Sequence, residues 1–490
     1  MRHWISLFAA ALLCSPLGLA VESGIDDDGM LLIDGERAFV LGVYQAPGGD
    51  AGYEEAAEAG FNLLHCSDAD SLDKIHAMGA YGWINTGYAI DLSTDRDNRE
   101  ATLVKLVDSV GGHPAFLVWE VPDEALWNTW YGPLTYQLGP EPAAQLDYVA
   151  KMTEITPEHF AALGEDAPGT DANVWRDELT NLVTKRQREA RSLSLNGDLA
   201  GWEKGMDAIW TALGAPVPGP EKRITHSAER AEVMAGGMRE GYDYLRKLDH
   251  HPVWMNHAPR NTVPQLAEFN KAADIVGCDI YPVPFEGTGH SDLAERTLTA
   301  VGAYTDRMQE AAPGKPVWMV LQGFGWADLN KDATPEEIEK ERRPTMAETR
   351  FMAYDAIVNG ARGILYWGSA YIEQDSQLWK DLLALGRELN RLAPILSAKD
   401  FAPAPQVEIA EQWGSLDRGI QVLAKEHQGK VCYIVVNEWT GSLQYRLSGL
   451  TGAASGKYRN VIDDTIVTVT DGAIATTIAA HGVQVFVPEQ

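Results

Sequence analysis

Polar and aromatic side chains recur in this sequence at or directly after short apolar runs. At these positions stand Tyr44, Gln45, His65, Asn85, Glu120, Asp123, Glu124, Asn256, His257, Asp279, Tyr281, Gln322 and Trp367. Further tryptophans lie close to the same run ends, namely Trp119, Trp127, Trp130, Trp318 and Trp326. Aromatic faces suit the C–H surface of a sugar ring, and amides and carboxylates suit its hydroxyl groups. The set therefore favours carbohydrate chemistry, although several of the tryptophans have a core position as their alternative.

Apolar runs of strand length alternate with helical patterns over most of the chain. They span 39–44, 61–65, 81–85, 115–121, 252–256, 275–281, 316–322 and 363–367. Strands that alternate with helices make a parallel sheet, and eight of them close into a (β/α)8 barrel, which is the α/β fold that we predict. Thr345 and Glu348 have the spacing of a capping box, and Gly360 follows the same helix. A doubly wound open sheet is the alternative, but no G-x-G-x-x-G motif follows the first run.

The connection between the fourth and fifth runs is far longer than a barrel needs. Its helical stretches span 143–155, 171–193, 199–213 and 228–248, with a Pro/Gly-rich linker at 214–220. The last stretch is the expected barrel helix, and a further barrel helix is expected at 293–311. The remainder, about 127–225, predicts a helical insertion on the C-terminal face of the barrel, where substrate-facing loops sit.

From residue 402 onward, short β-rich runs follow one another without helical patterns between them. They span 407–409, 420–424, 431–436, 443–447, 466–470 and 483–487, with a turn signal at Asp471-Gly472. This pattern predicts a small antiparallel β-sandwich. Pro394 and the region 403–405 mark the expected boundary, which gives a barrel domain at 21–398 and a sandwich domain at 399–490.

The N-terminus has the layout of a secretory signal peptide. Arg2 and His3 precede an apolar run at 4–13, and Gly18 and Ala20 supply the small residues of a cleavage site. We predict cleavage after Ala20 and export, so that the mature protein is periplasmic or secreted. The apolar run is shorter than the roughly 20 residues of a spanning helix, and no later segment is expected to cross a membrane.

Charge and cysteine usage narrow the classes of partner and cofactor. The formal net charge of −30 argues against binding to nucleic acid or an anionic membrane, because both need a basic surface. Cys66, Cys278 and Cys432 are widely spaced, so we expect buried free thiols rather than a disulfide framework. Three histidines lie close together in the sequence, namely His250, His251 and His257, but they lack the spacing of a metal site. We therefore predict neither a metal nor a cofactor.

The segment His-Pro-Ala-Phe-Leu-Val-Trp-Glu-Val-Pro-Asp-Glu-Ala at 113–125 resembles strand four of the clan-A glycoside hydrolases. Those enzymes carry a Trp and then Asn-Glu or Asp-Glu, commonly followed by Pro. Here Asp123-Glu124 occupies the pair, with Ala125 in place of the proline. A C-terminal sandwich is also common in such hydrolases. Further segments that resemble strands six to eight of related barrels are 274–282, 315–322, 343–345 and 360–367.

The resemblance implies a role for each strand-end residue. By this match Glu124 would be the general acid/base, a carboxylic acid whose pKa is raised by its surroundings. Asp123 would bind a substrate hydroxyl or orient Glu124, with capping of the following helix as the alternative for both. The residues that would bind sugar are Tyr44, Asn256, Tyr281, Gln322 and Trp367.

The second carboxylate departs from the family pattern. Clan-A enzymes place a nucleophilic Glu at the end of strand seven, where this chain has Gln322. Asp279 is our first choice for a replacement, with a structural role at the barrel rim as its alternative. The next candidates for the second carboxylate are Glu120, Glu286 and Glu373. Glu348 is a poor candidate, because its place in a capping box already accounts for it. An inverting enzyme with a more distant base, or a barrel that binds glycan without cutting it, would also account for Gln322.

Together these observations predict an exported hydrolase of O-glycosidic bonds in a polysaccharide or oligosaccharide. Glu124 and Asp279 are the expected catalytic carboxyl groups. A non-catalytic glycan-binding barrel is the alternative, and Gln322 is the feature that favours it. A lyase or an esterase is a weaker alternative, and no G-x-S-x-G motif indicates an esterase.

Overall fold

The computed structural model describes residues 20–138, 140–285, 290–411, 418–450 and 456–489, so the predicted signal peptide lies outside them except for Ala20. The strands are β1 (Ser23–Ile25), β2 (Leu31–Ile33), β3 (Glu36–Ala38), β4 (Val40–Val43), β5 (Leu63–Cys66), β6 (Tyr81–Asn85), β7 (Phe116–Glu120), β8 (Val253–His257), β9 (Ile275–Ile280), β10 (Val317–Gln322), β11 (Ala361–Trp367), β12 (Lys399–Asp400), β13 (Gln406–Glu411), β14 (Ile420–His427), β15 (Lys430–Asn437), β16 (Leu443–Ser448), β17 (Gly456–Asn460), β18 (Thr465–Val469), β19 (Ile474–Ile478) and β20 (Val483–Pro488). The α-helices are α1 (Asp50–Glu58), α2 (Ala69–Ala77), α3 (Arg96–Val110), α4 (Ala125–Leu138), α5 (Pro140–Lys151), α6 (Pro157–Ala162), α7 (Ala172–Leu195), α8 (Leu199–Ala212), α9 (Ser227–Leu248), α10 (Val263–Phe269), α11 (Ala300–Ala311), α12 (Pro335–Lys340), α13 (Met346–Val358) and α14 (Gln377–Leu396).

Strands β4 to β11 form a closed parallel barrel in chain order, and β11 pairs with β4 to complete it. The prediction of a (β/α)8 barrel is therefore confirmed, and closure excludes the doubly wound open sheet. Each barrel strand lies within two residues of its predicted ends, and β6 matches its predicted run of 81–85. Parallel strands buried on both faces need continuous apolar runs, and that is why the sequence pattern located them well.

Large aromatic side chains fill the inside of the barrel. The ring centroids of Trp83 and Trp254 are 5.9 Å apart, and those of Trp254 and Trp318 are 5.5 Å apart. Trp119 is buried in the outer layer between strands and helices, so Trp119 and Trp318 both hold core positions. Because the interior is packed, a ligand site is confined to the ends of the strands.

An N-terminal antiparallel sheet of β1, β2 and β3 packs at the start of the barrel strands, and the sequence pattern did not reveal it. The Ser23 hydroxyl donates to the Leu117 carbonyl at 2.7 Å, and Val21 and Leu31 pack with the barrel interior. Each of these strands has three residues, which is too short for a readable alternation. The sheet covers the end of the barrel opposite to the strand ends that carry the candidate site.

Helices α4 to α8 form the predicted insertion between β7 and β8, and α9 leads the chain back to the barrel. The insertion has its own apolar core, which includes Phe160, Leu179, Trp202, Met206 and Ile209. Its helices begin at α4, directly after the candidate Glu124, rather than near residue 143. In the part of the chain that the structure describes, no helix combines the length and the apolarity needed to cross a membrane.

A predicted helix start in the barrel was wrong, and one residue expected to mark the domain boundary lies inside a helix. The helix expected at 293–311 begins only at Ala300, because the preceding segment folds into a turn in which the Ser291 hydroxyl donates to the Glu295 carbonyl at 2.6 Å. Pro394, expected at the domain boundary, lies inside the last turns of α14. Burial of Leu392 and Leu396 in the barrel's outer core holds that end of the helix although the proline lacks an N–H donor.

The C-terminal domain consists of two antiparallel sheets, in strand orders β12-β14-β15-β20-β17-β18 and β13-β16-β19. Residues such as Tyr433, Tyr445 and Phe486 fill the core that these sheets share, so the predicted sandwich is confirmed. The predicted turn is present as well: Asp471 and Gly472 both have positive φ, at 50° and 69°, as the tight hairpin between Thr470 and Ala473 requires.

Gly277 on β9 tests how tightly the barrel is packed. A Cβ at this position would lie 2.2 Å from the Trp318 carbonyl oxygen and 3.0 Å from the Trp254 indole nitrogen. Neither the backbone of β10 nor the buried indole can move away freely, so we expect Gly277→Ala to lower the free energy of unfolding by about 2–3 kcal/mol.

Urea denaturation followed by tryptophan fluorescence measures this change. Gly112→Ala is the matched control, because no atom lies within 4 Å of the position of its Cβ. Equal denaturation midpoints for the two variants would contradict the packing described here.

Candidate active site

The turn after β7 brings together three of the candidate carboxyl groups. Strand β7 ends at Glu120, and Asp123 and Glu124 then lead directly into α4. Glu124 has a φ of 51°, a left-handed conformation that costs a non-glycine residue about 1–3 kcal/mol. Its backbone N–H donates to the Asn256 carbonyl on β8 at 3.3 Å. The neighbouring strand thus holds a strained turn that sets the direction of the Glu124 side chain.

Glu120 is the buried centre of a hydrogen-bond network that joins β7, β6 and the residue after β4. Its Oε1 bonds the Tyr44 hydroxyl at 2.8 Å, and its Oε2 accepts from the Trp83 indole at 3.1 Å and from the Asn85 amide at 3.0 Å. Burial, helped by the charge of Asp123, raises the pKa of Glu120 to about 8, although these hydrogen bonds oppose the shift. Three side-chain groups of the protein hold both carboxyl oxygens of Glu120 in place, and the predicted contact of Tyr44 with sugar stays a prediction.

Asp123 and Asn256 form a second polar pair at the neighbouring strand end. The Asn256 amide donates to Asp123 Oδ1 at 3.0 Å. Burial raises the pKa of Asp123, and the hydrogen bonds from Asn256 and from the Glu124 backbone oppose the shift. The Asn256 amide oxygen is buried and has no hydrogen-bond partner among the described residues. It is therefore an acceptor without a protein donor beside the carboxyl groups.

Glu124 and Asp279 face each other across the end of the barrel. Neither oxygen of Asp279 makes a well-formed hydrogen bond, and the group that it faces is the Glu124 carboxyl. Burial, helped by the charge of Asp123, raises the pKa of Glu124 to about 7, and contact with Asp279 opposes the shift. Burial and the Glu124 charge raise the pKa of Asp279 well above its usual range. The two carboxyl groups thus hold a proton between them near neutral pH.

His290 presents a neutral donor to Asp279. The Tyr281 backbone N–H donates to His290 Nδ1 at 3.1 Å, so the imidazole proton resides on Nε2. Nε2 lies 3.8 Å from Asp279 Oδ2, and the imidazole stacks on the Tyr281 ring with centroids 4.8 Å apart. Burial, helped by the charge of Arg260, lowers the pKa of His290 to about 4. The uncharged ring therefore leaves the carboxyl pair without a neutralising cation at this contact.

An aromatic wall borders the carboxyl pair. The rings of Tyr281 and Trp367 stack with centroids 5.6 Å apart and an angle of 17° between their planes. Phe324 and Trp326 pack edge-on against Tyr281 at 5.2 and 6.2 Å. Tyr281 is almost completely buried, whereas Trp367 keeps part of its surface exposed. Trp326 is also partly exposed, so Trp367 and Trp326 are the members of this wall that have surface to offer a sugar ring.

Gln322 occupies the strand-seven position, but its amide is engaged by the backbone. Its Oε1 accepts from the Val283 N–H at 2.9 Å, while its Nε2 donates to the carbonyls of Val283 at 2.6 Å and Phe324 at 3.0 Å. The side chain is fully buried. These contacts give Gln322 a role in fixing the loop that carries Tyr281, and its predicted contact with sugar stays a prediction.

The other carboxylates considered from the sequence lie outside the cluster. Glu373 is exposed and paired with Arg343 at 2.8 Å, and a hydrogen bond from its own backbone N–H, together with Arg343, lowers its pKa. Glu348 forms the predicted capping box with Thr345 and an ion pair with Arg342. Glu286 lies outside the described residues.

The remaining histidines and the cysteines have structural environments. His257 is buried against the Asn270 side chain at 2.8 Å. Asp249, His250 and His251 place possible metal-ligand atoms within 4.8 Å of one another, the one such group among the described residues. Both His251 nitrogens are already engaged, by Asp249 and by the Val21 carbonyl, at the opposite end of the barrel. The predicted free thiols are confirmed as buried, namely Cys66, Cys278 and Cys432.

Glu120 was expected only as a candidate behind Asp279, and His290 was not expected in the site. The signal for Glu120 was its place next to the end of the apolar run at 115–121, which puts a carboxyl group inside the barrel mouth. His290 follows no strand directly, and only the fold of the loop after β9 brings it to Asp279. A lone histidine in a loop carries no pattern from which this contact could be inferred.

The protonated state of Glu120 has a consequence for stability. The folded protein holds its proton up to about pH 8, whereas an unfolded chain releases it near the ordinary value of 4.5. Between these values the folded state binds more protons, so this group makes the free energy of unfolding fall as the pH rises. Glu120→Gln mimics the neutral acid. We expect it to remove a pH-dependent change in the free energy of unfolding on the order of a few kcal/mol.

Denaturant titrations at about pH 5 and about pH 9 measure this difference. Glu426→Gln, at an exposed position on β14, is the control and should keep the wild-type dependence. An unchanged dependence in Glu120→Gln would show that Glu120 is ionised in the folded protein.

No protein-family model matches the sequence, and no curated protein matches it either. The β-galactosidase of Bacillus circulans sp. alkalophilus is 10% identical over 92% of this chain and 98% of that chain, with a TM-score of 0.49. A glycoside hydrolase family 5 protein of Bacteroides vulgatus is 13% identical over 96% and 92%, with a TM-score of 0.48. Alpha-galactosidase I of Mortierella vinacea is 10% identical over 92% and 96%, with a TM-score of 0.41.

Proposed function

We propose that this chain is an exported glycoside hydrolase that cleaves O-glycosidic bonds of a polysaccharide or oligosaccharide. The observation that carries the proposal is the facing pair of Glu124 and Asp279 at the C-terminal end of the barrel. Their raised pKa values have burial as the main cause, so a proton is held where acid catalysis needs one. The adjacent Trp367 surface and the unpartnered Asn256 oxygen supply an apolar and a polar contact for a sugar ring.

Glu124 acts as the general acid in this proposal. Its proton passes to the glycosidic oxygen as the bond to the leaving group breaks, and Asp279 stabilises or attacks the positive anomeric carbon. The contact between the two carboxyl groups is nearer to the roughly 5–5.5 Å separation of retaining enzymes than to the roughly 6.5–9.5 Å by which inverting enzymes admit a water, and this favours direct attack. Glu124 then takes a proton from the water that releases the sugar.

Export rests on the N-terminal sequence. Basic residues, an apolar run and small residues before Val21 have the order of a secretory signal. Cleavage after Ala20 would make Val21 the first residue of the mature chain. Buried free cysteines and the strongly negative charge are compatible with a protein that functions outside the cytoplasm.

Hydrolysis by the carboxyl pair is tested with matched variants. We expect the wild-type protein to release reducing ends from at least one member of a panel of cellulose, xylan, mannan, galactan, starch and chitosan. Glu124→Gln and Asp279→Asn should each lower kcat by about 100-fold or more, because each removes a group that moves a proton or bonds the anomeric carbon. Glu373→Gln, which changes an exposed carboxylate, should keep the wild-type rate.

The pattern of loss separates the alternatives. Full activity in Glu124→Gln would overturn the assignment of the acid, and a loss in Glu373→Gln alone would move the second carboxylate to that position. Binding of a glycan without release of reducing ends in any reaction would favour the non-catalytic barrel that Gln322 suggested.

The pH profile supplies an independent test. A protonated Glu124 is required for the first step, and its pKa of about 7 places the alkaline fall of kcat/KM near neutral pH. The negative charge of Asp123 contributes to raising that pKa, so Asp123→Asn should move the alkaline limb to lower pH. An alkaline limb that stays in place in Asp123→Asn would contradict the coupling of these groups.

A further inference from the structure

One strand of the C-terminal domain has its two faces in two different cores. Three residues of β15 lie in the core that the two sheets of the sandwich share, namely Val431, Tyr433 and Val435. The alternate residues pack in the outer core of the barrel, namely Cys432, Ile434 and Val436. Side chains of a strand point alternately to opposite faces, so β15 joins the apolar cores of the two domains. The domain interface is therefore an apolar surface with α13 on its barrel side.

A buried carboxyl pair lies at one end of this interface. Glu438 directly follows β15, and its carboxyl group contacts that of Asp355 on α13. Both side chains are buried. The Asn359 amide, one turn later on α13, lies 3.3 Å from Asp355 Oδ1 and 3.5 Å from Glu438 Oε1. The barrel and the sandwich thus each contribute one carboxyl group to a buried contact between the domains.

The hydrogen-bond donors of this region are unevenly divided between the two carboxyl groups. Glu438 accepts from the Arg418 guanidinium at 2.7 Å and from the Gln421 amide at 3.1 Å, as an ionised carboxylate does. Asp355 accepts one short bond, from the Gly302 N–H of α11 at 2.7 Å. Two ionised carboxylates in buried contact repel each other, so the favourable arrangement is a protonated Asp355 that donates to Glu438.

The charges around the pair agree with this position of the proton. Burial, followed by the charge of Glu438, raises the pKa of Asp355 well above its usual range, although a backbone N–H and Arg418 oppose the shift. Arg418 also faces two carboxylates of the barrel, Glu295 at 3.7 Å and Asp306 at 3.6 Å. One guanidinium is therefore shared among several acids and cannot neutralise them all.

A histidine of the sandwich lies one turn away along α13. The His481 imidazole packs against the Phe351 ring, with the centroids 5.0 Å apart. Burial lowers the pKa of His481, and the charge of Glu348 opposes the shift. The ring is therefore neutral near neutral pH. It is the same in the wild-type protein and in variants of Asp355, so a comparison between them removes its contribution.

We propose that Asp355 keeps its proton in the folded protein and donates it in a hydrogen bond to Glu438, and that this bond holds the C-terminal domain on the barrel. When the interface opens, Asp355 enters water and releases the proton, so opening becomes more favourable as the pH rises above the ordinary value of 3.8. The equilibrium constant for opening then increases about tenfold per pH unit, until the closed protein also loses the proton.

The buried thiols of the chain report this opening. Cys432 lies on the barrel-facing side of β15 and is 2% exposed, whereas Cys66 and Cys278 lie on barrel strands. Burial raises the pKa of the Cys432 thiol to about 11, so the closed protein holds it as the unreactive thiol. Iodoacetamide alkylation of the native protein, followed at each cysteine by mass spectrometry between about pH 5 and about pH 8, therefore measures opening at each position.

Variants of Asp355 isolate the contribution of its proton. Asp355→Asn keeps a donor toward Glu438 at every pH, because its amide does not titrate. Asp108→Asn, at an exposed position on α3, is the matched control. We expect the Cys432 alkylation rate of the wild-type protein, divided by that of Asp355→Asn, to increase about tenfold per pH unit over part of this range. Asp108→Asn should follow the wild-type protein.

The two barrel cysteines distinguish a domain movement from a change in the whole fold. The same quotient for Cys66 and Cys278 should stay within about twofold, because opening of the interface leaves the barrel closed. A Cys432 quotient that does not change with pH would overturn the proposal, and so would equal changes at all three cysteines. The melting temperature checks that Asp355→Asn is folded. If it is not, Asp355→Ser supplies a hydroxyl donor that does not titrate, and the same outcomes apply to it.

Discussion

Burial of carboxyl groups at the ends of the barrel strands is the constraint on which the rest of the structure depends. Glu120, Asp123, Glu124 and Asp279 all have raised pKa values, and burial is the largest cause in each case. Buried acids are costly, so they need a scaffold that cannot relax around them, and the tryptophan-filled barrel supplies it. The same loss of solvent lets the facing pair of Glu124 and Asp279 hold a proton near neutral pH, which the proposed acid catalysis requires.

The fold was largely predictable because its signals are local. Continuous apolar runs located the barrel strands, and Asp471-Gly472 located a hairpin through its backbone preference alone. The N-terminal sheet was missed because three-residue strands carry no periodicity. Pro394 was expected to end the helix because proline usually does so, but the burial of Leu392 and Leu396 keeps the helix intact past this residue.

The candidate site was predictable in part. The sequence locates the ends of the strands, but it does not show which side chains of different strands contact each other. Glu124 and Asp279 were each selected from their own runs, yet their contact arises only when β7 and β9 take their places on either side of β8. The network around Glu120 needs β6, β7 and the end of β4 at once. His290 reaches Asp279 through a loop whose course no local pattern indicates.

The Gln322 side chain fixes the loop after β9 to the end of β10. Its amide donates to two backbone carbonyls and accepts one N–H, so it ties both sides of Val283 to the end of β10. A glutamate there would direct acceptor oxygens at those carbonyls and would free the loop that carries Tyr281. The loop that carries Tyr281 therefore requires a side chain at position 322 that donates and accepts at once, and among residues of this size the neutral amide does both.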